Sequence, residues 1–335
     1  MVLSTVQKAM KGDVWSKTNA TTHIVRWAVN VNDWTPTEKQ WTKAINSVQA
    51  EEQERINRFK YKLDAKASLV GRLLMRFWAI KTFQASNEIV IFDRSDRGRP
   101  RLLLNNDAKK WTFNVSHAGD YTVFVAQKNV ECLGVDVMRL QDPRFAENDS
   151  KILEFFHIMK KQFTTEEWSQ ICPENAKLSD QAANFFRFWT LKESFVKAIG
   201  HGLGFNLQRL SFSTHSPLHM GKVCKDSTLF IGGVQQEKWQ FEENLIDSEH
   251  SVCTAIQNSP QSPLEVAEAR AIPNYFQSPQ KEPIVIANKT NGENNFSLLT
   301  CESLLSAMPQ PIAKYSSEEN EIWKDFCQKF DKKLF

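Results

Sequence analysis

The chain lacks the usual nucleotide and nucleophile motifs. It has no Gly-x-x-x-x-Gly-Lys phosphate loop, no Gly-x-Gly-x-x-Gly after a strand and no Gly-x-Ser-x-Gly elbow. ATP-loop enzymes, Rossmann dehydrogenases and α/β-hydrolases are therefore disfavoured. Gly200-His201-Gly202-Leu203-Gly204 resembles a glycine-rich loop only superficially, because it follows a helical stretch instead of preceding one. The six cysteines, at 132, 172, 224, 253, 301 and 327, form no Cys-x-x-Cys pair. Zinc ribbons, redox pairs and disulfide frameworks need closer or more regular spacing, so reduced thiols in a cytosolic protein are expected. No run approaches the roughly 18 apolar residues that span a bilayer. Met1–Trp15, with Lys8, Lys11 and Asp13, lacks an apolar signal-peptide stretch. Charge of one sign is also missing: 42 Lys and Arg against 39 Asp and Glu leave +3. A protein that works by general phosphate-backbone attraction is usually more lopsided. The expectation is a soluble, cytoplasmic protein with neither nucleic-acid nor membrane partners, in which any anion is recognised by a local cluster.

Core-forming residues are abundant. Of 335 residues 41% are hydrophobic, with 23 Phe and 10 Trp, so a disordered or coiled-coil chain is excluded. The length suits about two units of ~150 residues. Composition shifts near residue 258: seven of the twelve prolines follow it, but only one Trp, Trp323. Residues 258–335 therefore read as a mobile tail, in which Ser297–Met308 and Glu319–Phe330 are short amphipathic pieces able to dock on a partner.

Before the tail the elements come in two similar cycles. In the first, Thr22–Val31 alternates like a strand, Thr37–Arg58 reads as helical and Asp64–Thr82 is a long amphipathic helix. Strand-like runs follow at Glu88–Phe92, Trp111–Ser116 and Tyr121–Gln127, the last two joined by a His117–Asp120 hairpin loop. In the second, Cys132–Met138 is a strand, 148–170 holds helical patches and Asp180–Ile199 is another long helix. Arg209–Ser213, Ser227–Gly232, Lys238–Glu242 and Ser251–Gln257 then read as strands. The expected class is α+β, with two similar lobes over 15–130 and 131–257 and a site at the seam, where each contributes a wall.

Four constellations carry possible chemistry. In Phe185–Gly200, Phe185, Phe188, Trp189, Phe195, Val196 and Ile199 form an apolar stripe, with Glu193 and Lys197 at i, i+4 on its edge. A surface Glu–Lys pair worth ~0.2–0.5 kcal/mol is the plainer explanation. Against it, a carboxylate beside an aromatic face is partly desolvated and needs a cation. In Gly134-Val135-Asp136-Val137-Met138 an acid inside an apolar strand is costly unless paired, protonated or metal-bound. Such a carboxylate suits Mg²⁺ held together with a phosphate; capping a neighbouring turn is the alternative. Arg94-Ser95-Asp96-Arg97-Gly98-Arg99-Pro100-Arg101 sets four guanidinium forks around one glycine, which suits phosphate and equally suits a solvated hairpin tip. Asn114-Val115-Ser116-His117 places a polar cluster where it can donate to a phosphate or close a turn. Arg55 is the one cation of Glu51–Arg55.

Taken in order, Arg-Gly-Arg-Pro, Asn-Val-Ser-His, Gly-Val-Asp and, about 55 residues on, Trp189-x-x-Lys192-Glu193-x-x-x-Lys197 resemble the signature of the 4′-phosphopantetheinyl transferase superfamily. The arrangement is similar to its larger, two-lobed, pseudo-twofold, surfactin-synthetase-activating type. Asp64-Ala65-Lys66-Ala67, Gly71-Arg72-Leu73, Glu154–Lys160 and Gly202-Leu203-Gly204-Phe205 look like its animal branch. The resemblance covers about residues 24–257.

It implies transfer of the 4′-phosphopantetheine arm of coenzyme A to a serine of an apo-acyl or peptidyl carrier domain, with release of adenosine 3′,5′-bisphosphate. By motif, Asp136 and Glu193 would hold Mg²⁺, Glu193 would also serve as base, directly or through water, and Lys197 would stabilise or protonate the leaving phosphate. Arg55, Arg94, Arg97, Gly98 and Arg99, with Asn114, Val115, Ser116 and His117, would bind coenzyme A. Implied partners are the carrier domains of fatty-acid synthase, aminoadipate reductase or similar enzymes, met by a monomer. Many bacterial members place a third carboxylate two residues after the aspartate, where this chain has Met138. A non-catalytic coenzyme A or carrier-binding module is the competing expectation.

Overall fold

The computed structural model describes residues 23–141, 149–258, 296–309 and 319–331. The first half comprises β1 (Ile24–Asn30), α1 (Glu38–Asn46), α2 (Ala50–Asn57), α3 (Lys62–Phe83), β2 (Ile91–Arg94), β3 (Pro100–Leu103), β4 (Trp111–Ala118) and β5 (Tyr121–Lys128). The helix expected over Thr37–Arg58 is two. Thr37 opens α1 with a capping box to Gln40, and the chain stops at Ser47, whose amide bonds back to Ala44 and Ile45. The His117–Asp120 loop is shorter than expected: β4 runs through Ala118, which pairs with Tyr121 across a two-residue turn with Gly119 at φ +57°.

The second half comprises β6 (Val130–Arg139), α4 (Asp149–Met159), α5 (Thr165–Ile171), α6 (Leu178–Ile199), β7 (Leu210–Ser213), β8 (Thr228–Ile231), β9 (Val234–Gln235), β10 (Trp239–Leu245) and β11 (His250–Asn258). Three strands, β10-β11-β6, form an antiparallel sheet with β6 at its edge; β1, β5 and β4 belong to a second sheet.

Strand alternation sorts the side chains into layers. Along β5, Phe124 and Ala126 join the core under α3, whereas Tyr121, Val123 and Val125 pack between the sheets. Along β6, Leu133, Val135 and Val137 face the inter-sheet core. Met138, on the opposite face, joins the core of α6, made by Phe185, Phe188, Phe195 and Val196 among others. Each such apolar side chain, fully buried, contributes ~1.5–3 kcal/mol. A buried ion pair, Arg26 on β1 with Glu242 on β10 at 2.5 Å, ties the sheets together.

Two described stretches of the expected tail are folded. Ser297–Leu299 forms β12, parallel to β1 and the outer strand of its sheet; α7 (Cys301–Ala307) and α8 (Glu319–Gln328) follow. Leu304, Leu305, Met308 and Phe326 enter the core under α3, and Phe326 stacks on Trp41 with centroids 3.9 Å apart. The partner of these amphipathic pieces is the chain's own first half, whose β1 edge and α1 face they cover. The remainder of the expected tail, 259–295, 310–318 and 332–335, lies outside the described residues.

Candidate active site

The site forms where β6, at the edge of its sheet, meets β4 and α6. An edge strand leaves main-chain groups unpaired. Here the Val135 amide donates to the Asn114 side chain of β4 at 3.0 Å. Asn114 thereby docks one sheet on the other. On the opposite side, Gly134 lets α6 approach: a Cβ at this position would lie 2.1 Å from the Ser194 carbonyl oxygen and 2.4 Å from the Ala198 nitrogen. The glycine of the Gly-Val-Asp stretch is therefore what allows a helix carrying Glu193 and Lys197 to lie against the strand carrying Asp136.

Asp136 lies within β6 and is only 4% exposed. Its Oδ1 accepts from Ser116 Oγ at 2.9 Å and from Lys197 Nζ at 2.5 Å, and Lys197 also donates to Ser116 at 2.6 Å. Its Oδ2 is buried without a hydrogen-bond partner among the described residues. Burial, and next the charge of Asp136, hold the half-buried Glu193 carboxyl above its ordinary pKa, with Lys197 acting the other way. Two carboxylates from separate elements thus feel one another, with a lysine as counter-ion and an acceptor oxygen to spare. Met138 packs with apolar neighbours, and no cluster of three or more His, Cys, Asp or Glu suited to a metal occurs among the described residues. Two oxygen donors still fit Mg²⁺, which takes few protein carboxylates and fills its shell with water and phosphate oxygens.

Strand alternation separates Ser116 from His117. Ser116 reaches Asp136, whereas His117 is exposed and falls on the other face of β4, as does Val115, which packs against the core under α3.

The basic loop is the turn of the β2–β3 hairpin, with Gly98 at φ +80°. Its arginines differ in what they touch. Arg99 donates to the carbonyls of Ala198, Leu133 and Phe113, linking the end of α6, β6 and β4. Arg94 reaches the Gly98 carbonyl and Glu52 Oε1, the latter at 2.6 Å. Arg97 is exposed and lies 2.6 Å from His201 Nδ1. Arg101 pairs with Asp93. Arg94 alone keeps the acidic partner that also serves Arg72, whose Nε is 3.6 Å from Glu52 and whose pKa burial pushes down to about 10. Arg94 and Arg55 lower it further by repulsion. Arg55, exposed on α2, therefore belongs to a cluster of three guanidiniums around one buried carboxylate.

Glu52 and Arg72 are the members that the sequence reading missed. Glu52 is hidden in an acidic run that reads as solvated; the available signal is its position on α2 four residues, about one turn, before Ile56, on the same buried face. A further omission is the role of Lys192. It has no exposure and donates to the carbonyls of Gln162, Leu207 and Leu210, with Glu167 Oε2 at 2.7 Å. Lys192 fixes α6 to its surroundings, and its neighbour Glu193 remains half-buried beside Asp136.

With this geometry in view, the matches to known proteins are informative. A model described as 4′-phosphopantetheinyl transferase, N-terminal, matches residues 32–129, and one for the 4′-phosphopantetheinyl transferase superfamily matches 132–256. The chain belongs to the 4′-phosphopantetheinyl transferase superfamily. The L-aminoadipate-semialdehyde dehydrogenase-phosphopantetheinyl transferase of Rattus norvegicus is 42% identical over 236 residues, 69% of this chain and 74% of its own length. The protein of the same name from Homo sapiens is 40% identical over the same extent. That of Xenopus laevis is 37% identical over 310 residues, 91% of this chain and 92% of its own length. This transferase takes coenzyme A as its phosphopantetheine donor, as its superfamily does. Its six cysteines are all unbridged.

Proposed function

We propose that the Asp136–Glu193 pair holds Mg²⁺ and that the enzyme thereby loads serines of carrier domains, with adenosine 3′,5′-bisphosphate as the second product. The Oδ2 of Asp136, buried and without a hydrogen-bond partner among the described residues, together with the repelled Glu193 carboxyl, carries this reading. Bound there, Mg²⁺ would supply Lewis-acid neutralisation of charge on the diphosphate.

The chain's own residues account for the rest. Glu193, directly or through water, takes the proton of the incoming serine as its Oγ bonds to the phosphorus on the pantetheine side. The bond from that phosphorus to the bridging oxygen breaks, and the adenosine half leaves with the bridging oxygen. Lys197 offers its ammonium to that leaving phosphate, a short movement from Asp136. Ser116 and Asn114 position these groups: Ser116 bonds to both Asp136 and Lys197, and Asn114 anchors β6. Arg94, Arg97 and Arg55 supply positive charge for the phosphates at the adenosine end, and Gly98 lets the loop backbone approach. Arg99 acts mainly as the tie that positions this loop on α6. His117, on the far face of β4, is reserved for the outer parts of coenzyme A.

The relatives' names point to an aminoadipate-semialdehyde dehydrogenase carrier as one substrate; fatty-acid synthase carriers offer the same serine chemistry. We assign the enzyme to the cytosol as a monomer. Incubation with apo-carriers of both kinds, coenzyme A and Mg²⁺, followed by mass spectrometry of the carrier, tests the reading. The phosphopantetheine increment, lost on chelation, is expected. Coenzyme A binding with no increment on any carrier would instead favour a non-catalytic binding module.

A further inference from the structure

We propose that Lys197 is an exchangeable placeholder for the divalent cation, so that the ion enters well only when an anionic diphosphate is present to receive the lysine. This inference rests on the assignment of Asp136 and Glu193 as the metal pair. The Lys197 ammonium sits 2.5 Å from Asp136 Oδ1, and Asp136 makes no other ion pair among the described residues. The same ammonium opposes the upward push on Glu193. A carboxylate only 4% exposed beside a second carboxylate needs a positive charge close by. In the ligand-free protein the lysine provides it.

A lysine on Asp136 and a divalent cation bound to the other oxygen of the same carboxylate repel strongly at such separation. Lys197 must therefore leave for the ion to bind well. Its side chain is 30% exposed against 5% for that of Asp136, so it is the partner able to swing away. Ser116 holds only one of its donors. An ammonium leaving for water loses its ion pair; one leaving for a phosphate replaces it. Cation and diphosphate thus help each other through Lys197, and cation binding alone is held weak.

The test is titration of Mn²⁺ into the full chain, followed by electron paramagnetic resonance, with and without coenzyme A. Without coenzyme A, Lys197→Met is expected to bind Mn²⁺ roughly five- to tenfold tighter than wild type, and the gain on adding coenzyme A should shrink by a similar factor. Lys197→Gln, uncharged but still able to donate to Ser116, should do the same, and thermal melts show whether each variant is folded. Equal or weaker Mn²⁺ binding by a folded, uncharged variant overturns the inference, provided that Asp136→Asn abolishes binding. Mn²⁺ binding that survives Asp136→Asn overturns the metal assignment itself, and the placeholder with it.

Discussion

The two long helices, α3 and α6, make an instructive comparison. Each has 22 residues, each packs on the outer face of its own sheet, and each ends in a left-handed residue, Gln84 at φ 51° and Gly200 at φ 65°. Counted from their first residues, the fifteenth position is a buried cation in both: Arg76 in α3 and Lys192 in α6. Arg76 is satisfied by neutral groups, the side chains of Asn87 and Gln49 and the Asn87 carbonyl. Lys192 has three carbonyls and the carboxylate of Glu167. At the sixteenth position they part: Phe77 is a core residue, whereas Glu193 faces Asp136. The same scaffold serves twice, and only the second copy bears the acids. The first half contributes Ser116, Asn114 and the guanidinium cluster.

The sharpest break is to remove the acids. Asp136→Ala and Glu193→Ala should each lower transfer by about 10³-fold or more, since they remove the electrostatic centre of the site. Circular dichroism melts should remain close to wild type. Phe77→Ala, at the matching position, should instead destabilise without that specific loss of turnover.

The buried cations give the next contrast. Lys192→Met strands Glu167 in a position with no exposure and should cost ~3–5 kcal/mol. Arg76→Met leaves only neutral groups unpaired and should cost ~1–3 kcal/mol. Urea unfolding measures both, and a larger cost at Arg76 would refute the distinction.

A third contrast is between glycines. Gly134→Ala drives a methyl into main-chain atoms of α6 and should cost ~1–3 kcal/mol or more while displacing Glu193. Gly71→Ala, in α3, meets only side-chain methyls, the nearest at 3.2 Å, and gains helix propensity, so its net effect should stay within ~1 kcal/mol.

The smallest effect is on pH dependence. Because the folded state holds the Glu193 carboxyl above its ordinary value, it retains a proton that the unfolded chain has already released. Stability of metal-free protein should therefore fall as pH rises from the ordinary glutamate value through the raised one. Glu193→Gln should flatten the stability slope in thermal melts taken with chelator.

The elements that could be read directly are those with long local patterns. The stripe on α6 and the alternation of β5 and β6 appear in the structure close to their expected bounds. The convergence of Asp136 with Glu193 is suggested by motif order, since nothing local brings β6 to α6; Gly134 does so, and its function shows only when the helix lies against it. Other features were hidden because their causes are distant. β12 is three residues long, too short for any pattern, and exists because β1 offers an open edge. Arg99 reads as a phosphate ligand within an arginine-rich loop, but the backbone carbonyls it meets come from three other elements. The break after α1 depends on Ser47, whose hydroxyl donates to the Lys43 carbonyl in competition with the helix.

The most direct measurement is the anomalous scattering of Mn²⁺ in crystals soaked with coenzyme A. The account predicts one peak bonded at once to Asp136, to Glu193 and to oxygens of the diphosphate, with the Lys197 ammonium moved from Asp136 to a phosphate. A peak that touches only one of the two carboxylates, or a diphosphate bound away from both, would contradict it.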